Sequence, residues 1–207
     1  MCLIVHKPKE ARIPEDLVAA ALAFNTDGWG LMGIAPDQSL IIERHAFSDF
    51  GEIRQVLARH RDAELVLHLR RRTRGAADRE NTHPLAIAPG LHLMHNGTLP
   101  LYSRVAGRSD SWHFVNDLLR PLHLRHPGLI SDPDFLRLLE LSMKADNKAV
   151  LLDSHLNRIV ILNRAHGAEF EGLWLSNTRW LDRRVLPLSH TPQTQLSTQD
   201  IERLHFG

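Results

Sequence analysis

The sequence predicts an α+β domain, antiparallel sheets covered by helices, and three observations carry that expectation. Short apolar runs recur in pairs with turn residues between them, at 29–34 with 40–44 and at 149–153 with 158–162. Helical spacing falls in separate blocks, after Pro14, after Ser48, from Ser111 and after Ser131. Hairpins therefore outnumber strand-helix-strand units, which argues against a doubly wound parallel sheet.

Each element follows from local chemistry. Residues 2–6 are an apolar run suited to a buried strand, and Pro14, Glu15 and Asp16 open an alanine-rich helix to Phe24 with acids at its N-terminus. Asn25-Thr26-Asp27-Gly28 is turn chemistry leading into the first hairpin. Ser48 suits the cap of a helix to His60, and 64–69 reads as a strand rich in Leu and Val. From Arg70 to Pro89 no period is clear, and a connection that long is usually functional or disordered. A strand at 91–95 follows, then a helix over Ser111 to Leu122, then a capping box Ser131-Asp132-Pro133-Asp134 for a helix ending near Ala145. Strands at 149–153 and 158–162 flank the turn Ser154-His155-Leu156-Asn157, and 172–175 adds another. No repeat and no linker divides the chain, so a single domain is expected over 1–207. The Thr-, Gln- and Ser-rich tail after about 188 is expected to be loosely attached, with a last helical turn at Gln199 to Leu204.

At 207 residues the chain buries a core without disulfides, and its single cysteine forms no internal bridge. The balance of 25 Lys+Arg against 24 Asp+Glu offers no global field for nucleic acid or an anionic membrane. With no signal-like or membrane-length apolar stretch, a cytoplasmic protein is expected. The 14 histidines invite a metal reading, but His92 and His95, three apart in a strand, point to opposite faces, so no metal is expected. The Trp residues at 29, 174 and 180 are read as core.

The one cysteine follows the initiator directly. Trimming of Met1 would leave a thiol and an α-amine on Cys2, with ordinary pKa values of about 8.5 and about 7.7–8.0, so that one can take the other's proton near neutrality. Taken alone, Cys2 suits a small buried residue at a strand start equally well. Four further clusters bear on the choice: Asp27-Gly28-Trp29-Gly30; His68-Leu69-Arg70-Arg71-Arg72-Thr73-Arg74-Gly75; Asn81-Thr82-His83-Pro84-Leu85 with His95-Asn96-Gly97; and Ser109-Asp110-Ser111. Asn96-Gly97 at a strand end supplies an amide and a flexible backbone N–H for an oxyanion, or simply a turn that closes the strand. Arg70 at the mouth of the long loop offers a planar fork for a carboxylate, within a run that also suits a solvated basic face. Asp110 suits a helix start as well as a ligand.

In this order, from an N-terminal cysteine, the motifs resemble those of the class II glutamine amidotransferases, N-terminal-nucleophile (Ntn) hydrolases, and most closely their small stand-alone members. The matched stretch runs from Cys2 to about Phe114; beyond it, Asn147-Lys148 and Trp174-Leu175-Ser176-Asn177 fit the family fold's later strands less specifically. The resemblance implies a four-layer α/β/β/α sandwich of two antiparallel sheets, a glutamine amidotransferase type 2 domain, with Cys2, Asn96 and Gly97 catalytic. It implies that Arg70, assisted by Thr73, binds the α-carboxylate of glutamine and that Asp110 receives the α-ammonium. The loop Asn81 to Pro84 frames the substrate site, with His83 there in a structural capacity rather than as a proton carrier. The implied reaction is hydrolysis of glutamine or a γ-glutamyl amide through a thioester on Cys2, with no cofactor. A separate synthase or synthetase subunit would use the ammonia. Alternatives are a free-standing γ-glutamyl amidase of a small metabolite and a non-catalytic binding or regulatory subunit that keeps the pocket. Arg71 stands where larger members often carry tryptophan, and Trp112-His113 where relatives show an acidic residue. These departures bear on substrate identity, and Arg71, Arg72 and Arg74 together could accommodate a second carboxylate or a phosphate.

Overall fold

The computed structural model describes residues 2–180; Met1, the tail expected after about 188 and its last helical turn lie outside them. The larger sheet runs edge to edge through β3 (Leu40–His45), β2 (Trp29–Ile34), β4 (Glu64–Leu69), β1 (Leu3–Lys7), β10 (Leu173–Leu175) and β9 (Ala168–Phe170). The smaller runs through β5 (Leu85–Ala88), β6 (Leu91–Asn96), β7 (Lys148–Asp153) and β8 (Arg158–Leu162). All neighbouring strands are antiparallel.

Period-two alternation sorts the side chains into layers. In β1, Leu3 and Val5 join Leu31, Leu65 and Leu67 beneath α1 (Glu15–Leu22) and α2 (Phe50–Arg59). Ile4 points the other way and meets Met32, Val66 and Trp174 of its own sheet and Met94, Val150 and Leu152 of the smaller one. The far face of the smaller sheet, with Leu93 and Leu151, packs under Phe114, Val115 and Leu136 of the helical layer. The result is helix, sheet, sheet, helix. Strands buried on both faces explain why their sequences read as unbroken apolar runs; every residue of β1 and β2 is buried.

Several local expectations are corrected. Asp49, not Ser48, caps α2, its carboxylate accepting the Glu52 N–H at 2.7 Å. Ser48 instead accepts the Gly28 N–H and donates to the Asn25 carbonyl. Asp132 alone caps α5 (Pro133–Ser142), which ends before Ala145. The helix expected over 111–122 is α3 (Asp110–His113), a π-helical turn over Phe114–Leu119, and α4 (Arg120–Arg125). Pro121 has no N–H to return to the preceding turn, and Asn116 Nδ2 takes the Trp112 carbonyl at 2.9 Å, so the backbone ladder widens there. The aperiodic stretch before Pro89 holds β5 and a 3-10 turn at Arg79–Asn81. Trp29, Trp174 and Trp180 are buried in the cores. Among the described residues no helix is long and apolar enough to cross a membrane.

Candidate active site

The alternation that fills the space between the sheets also places polar groups at one end of it. Cys2 precedes β1, and since Leu3 pairs with Leu69, it stands beside Arg70 at the end of β4. Ser176 follows β10, which pairs with β1 on its other side. Asn96 ends β6 of the facing sheet, and its Nδ2 lies 2.8 Å from Ser176 Oγ, a hydrogen bond between the sheets. Even-numbered positions of β1, β4, β6 and β10 thus converge on the gap between the sheets.

Cys2 Sγ is clasped by the Arg71 backbone, accepting its N–H and facing its carbonyl, each at 3.4 Å. The Cys2 carbonyl accepts Asn177 Nδ2 at 2.8 Å. The residue keeps partial exposure, yet its surroundings are dense enough that burial raises the thiol pKa. The Arg71 N–H and the Arg70 charge pull it down, and Asp110 pushes it up.

Arg70 is almost entirely buried, 3% exposed. One terminal nitrogen, Nη2, donates to the Ala76 carbonyl at 2.9 Å and to that of Arg74 at 3.4 Å, shaping the loop that follows. The other, Nη1, is buried without a hydrogen-bond partner among the described residues. Burial lowers the pKa of this guanidinium, while Cys2 and Asp27 favour its charge. A buried cation with a spare donor and no carboxylate in contact among the described residues favours an anionic ligand strongly.

Asp110 opens α3 and accepts the Leu99 N–H through Oδ2 at 2.6 Å, while Ser109 caps the turn through the Trp112 N–H. A pocket of about 520 Å³ opens beside it, walled by Gly75, Ala76, Leu101, Gly107 and Arg108. Asn81 ties its two rims together: Nδ2 reaches the carbonyls of Ala76 and Gly107, and Oδ1 accepts the Ser109 N–H. The loop from Arg70 to Pro84 is therefore ordered by side-chain bonds rather than by period. Thr73 lies exposed on it without a hydrogen-bond partner among the described residues. Arg71, Arg72 and Arg74 are likewise exposed; the Arg72 N–H is held by Asp27 Oδ2 at 2.8 Å, and Arg74 reaches the pocket wall.

Gly97 follows Asn96 with φ of +140°, and a Cβ there would lie 2.3 Å from Asn147 Oδ1. That oxygen accepts from His95 Nε2 at 3.0 Å, and His95 Nδ1 faces Ser111 Oγ at 2.8 Å. His95 therefore looks into the helical layer, opposite in sense to His92 on the same strand. Among the described residues no group of three His, Cys, Asp or Glu is placed to hold a metal.

His83 is buried, packs on His68 with ring centroids 4.3 Å apart, and has no hydrogen-bond partner for either ring nitrogen among the described residues. Burial drives its pKa well below the ordinary value, that of His68 to about 3 and that of His92 to about 4. All three are neutral in the fold and charge on unfolding below pH 6.5, so the unfolded chain binds more protons in acid. Stability is then whole above about pH 6.5 and falls as pH drops toward 4, each histidine adding roughly 1.4 kcal/mol per pH unit. Urea unfolding at pH 7 and pH 5 is expected to differ by at least ~3 kcal/mol, with His68→Gln flattening the slope by about one histidine's share.

Asn147, Ser176 and Asn177 complete the arrangement, in stretches that the resemblance marks only as later strands and not as site residues. Their only signal is a polar side chain directly beside a buried run, as in Trp174-Leu175-Ser176-Asn177.

No protein-family model matches the chain, and no curated protein matches it. Among solved structures it is similar to glutamine phosphoribosylpyrophosphate amidotransferase from B. subtilis, in complex with ADP and GMP. The identity is 12%, the TM-score 0.45, and the match covers 84% of this chain but 41% of that one. It is also similar to a glutamine aminotransferase class-II domain protein from Silicibacter pomeroyi, at 17% identity and a TM-score of 0.39, covering 74% of this chain and 73% of the other.

Proposed function

We propose that this chain is a glutamine amidotransferase type 2 domain of the class II family, and that it hydrolyses the side-chain amide of glutamine or a γ-glutamyl amide with Cys2 as nucleophile. The observation that carries the reading is the pairing, at one end of the gap between the sheets, of a thiol with the spare buried Nη1 of Arg70. A substrate bearing a carboxylate at one end and an amide at the other satisfies both.

With Met1 trimmed, the α-amine of Cys2 takes the thiol proton and Sγ attacks the amide carbon. The carbonyl oxygen gains the charge, and Asn96 with the Gly97 N–H stabilises it. Collapse expels ammonia or an amine, which leaves with the proton held on the α-amine, and a thioester joins substrate and Cys2. Water, losing a proton to the same amine, then releases glutamate and restores the thiol. Arg70 holds the α-carboxylate, Thr73 assists from the loop, and Asp110 receives the α-ammonium on the wall of its pocket. His83 supports the loop as a neutral ring, and the reaction calls on no cofactor. A separate synthase or a small-molecule amine are both served by this chemistry.

The test is intact mass before and after incubation with a glutamine-mimicking diazoketone. Loss of one methionine and a single adduct on Cys2 are expected; a retained Met1 without adduct would leave a binding subunit. Asn96→Ala should lower kcat for L-glutamine by about 10²–10³-fold. Arg70→Ala should raise KM by roughly 10–100-fold with a smaller change in kcat, since a charged hydrogen-bonded pair is worth about 1.5–3 kcal/mol. Arg70→Lys should rescue little, because an ammonium cannot both hold the Ala76 carbonyl and fork to a carboxylate.

A further inference from the structure

Ser176 Oγ lies between the strand that follows Cys2 and the strand that ends in Asn96. It accepts the Ile4 N–H at 2.9 Å, and Asn96 Nδ2 lies 2.8 Å away on the opposite side. Asn177 Nδ2 adds a longer contact at 3.4 Å. Three N–H donors thus converge on a hydroxyl with two lone pairs, and no hydrogen bond among the described residues uses the hydroxyl's own proton. Asn96 shows the complementary fault, for its Oδ1 is buried without a donor among the described residues. With Asn96 2% and Ser176 0% exposed, solvent repairs neither.

A half-turn of the Asn96 amide about its last torsion removes both faults. Oδ1 then accepts the Ser176 O–H, the hydroxyl keeps Ile4 and Asn177 as its two donors, and Nδ2 occupies the place Oδ1 left. The amide fills the same volume in either orientation, so hydrogen bonding alone selects between them. The difference for an oxyanion is large. An unpartnered donor attracts the developing charge, and an unpartnered carbonyl oxygen repels it.

We propose that Ser176 is a positioning residue for the hydrolysis: its hydroxyl holds Asn96 with Oδ1 toward β10 and Nδ2 free for the oxyanion. The inference rests on the proposed hydrolytic reading. No proton moves and no bond is made in this role; Ser176 sets which end of the amide faces the reaction.

Glutamate release from L-glutamine, compared across a set of variants, tests it. Ser176→Ala should lower kcat by at least roughly tenfold with KM within about twofold, and Ser176→Thr, which keeps the hydroxyl, should restore kcat to within about threefold of the parent. In an Asn96→Ala background, Ser176→Ala should change kcat by less than about twofold, since the group it orients is gone. A purely structural serine would lower kcat by the same factor in both backgrounds, and that result, or a Ser176→Ala kcat within twofold of the parent, overturns the inference. Should Ser176→Ala not fold, Ser176→Cys carries the same comparison with a weak donor of similar size. Cys2→Ala separates the two levels: if it retains the parental rate the hydrolytic reading falls, whereas an inactive Cys2→Ala beside an unaffected Ser176→Ala removes the role of Ser176 alone.

Discussion

Cys2→Ala is expected to reduce glutamate release from L-glutamine by at least ~10⁴-fold while leaving the fold intact. Among the described residues the thiol's hydrogen bonds are two long ones, both with the Arg71 backbone at 3.4 Å. Removing it should therefore cost stability within about 0.5 kcal/mol. Cys2→Ser should be nearly as inactive, because a hydroxyl is a far poorer nucleophile beside an amine of pKa near 8. Steady-state rates with a urea melt on the same preparations check both halves. A Cys2→Ala protein as fast as the parent would remove the mechanism altogether.

The largest effect on the fold is expected at Gly30, in the middle layer of the larger sheet. A Cβ at this position would lie 1.7 Å from the His83 carbonyl oxygen and 2.7 Å from the carbon, with the Glu43 carbonyl at 3.0 Å. Both obstacles are backbone, so no rotamer relieves them. The loop Asn81 to Pro84 is further held by Arg44, whose Nε donates to the Thr82 carbonyl at 2.9 Å and whose Nη2 bonds the Arg79 carbonyl. Gly30→Ala should cost more than about 4 kcal/mol, a fall in Tm of at least roughly 8 °C. Thermal melts of the variant decide it: a Tm within about 2 °C of the parent would mean that the His83 segment gives way freely.

The two faces of the chain differ in how openly the sequence shows them. Apolar runs of β1, β2, β4 and β7 are long and buried on both sides, so their positions and the α+β class were legible from the residues alone. The strand β5 was hidden because it is four residues long, half alanine, and follows Pro84. The strand β9 was hidden because three residues at an edge carry no period. In the candidate site, Arg70 and Asn96 stood out by residue type at strand ends, and the structure places both at the end of the gap beside Cys2. Ser176 and Asn177 did not, because what matters about them is a contact across some 175 positions that no spacing records. Asn81 stands in a loop that no period marks, and its three hydrogen bonds to Ala76, Gly107 and Ser109 across the pocket mouth are not visible in spacing.

The bonds from Ser176 to Ile4 and from Asn177 to Cys2 join the beginning of the chain to its hundred-and-seventies, separations of 172 and 175 residues. During synthesis Cys2 is made more than 170 residues before the segment that seats it. Cys2 therefore stays unhoused while those residues are made, and at about 5–20 residues per second that interval is of the order of ten seconds or more. The same order should govern refolding, where contacts this distant form late. Recovery of thiol reactivity toward the diazoketone should then lag behind helix formation and coincide with burial of Trp174, making a reactive Cys2 a report that the two distant segments have met.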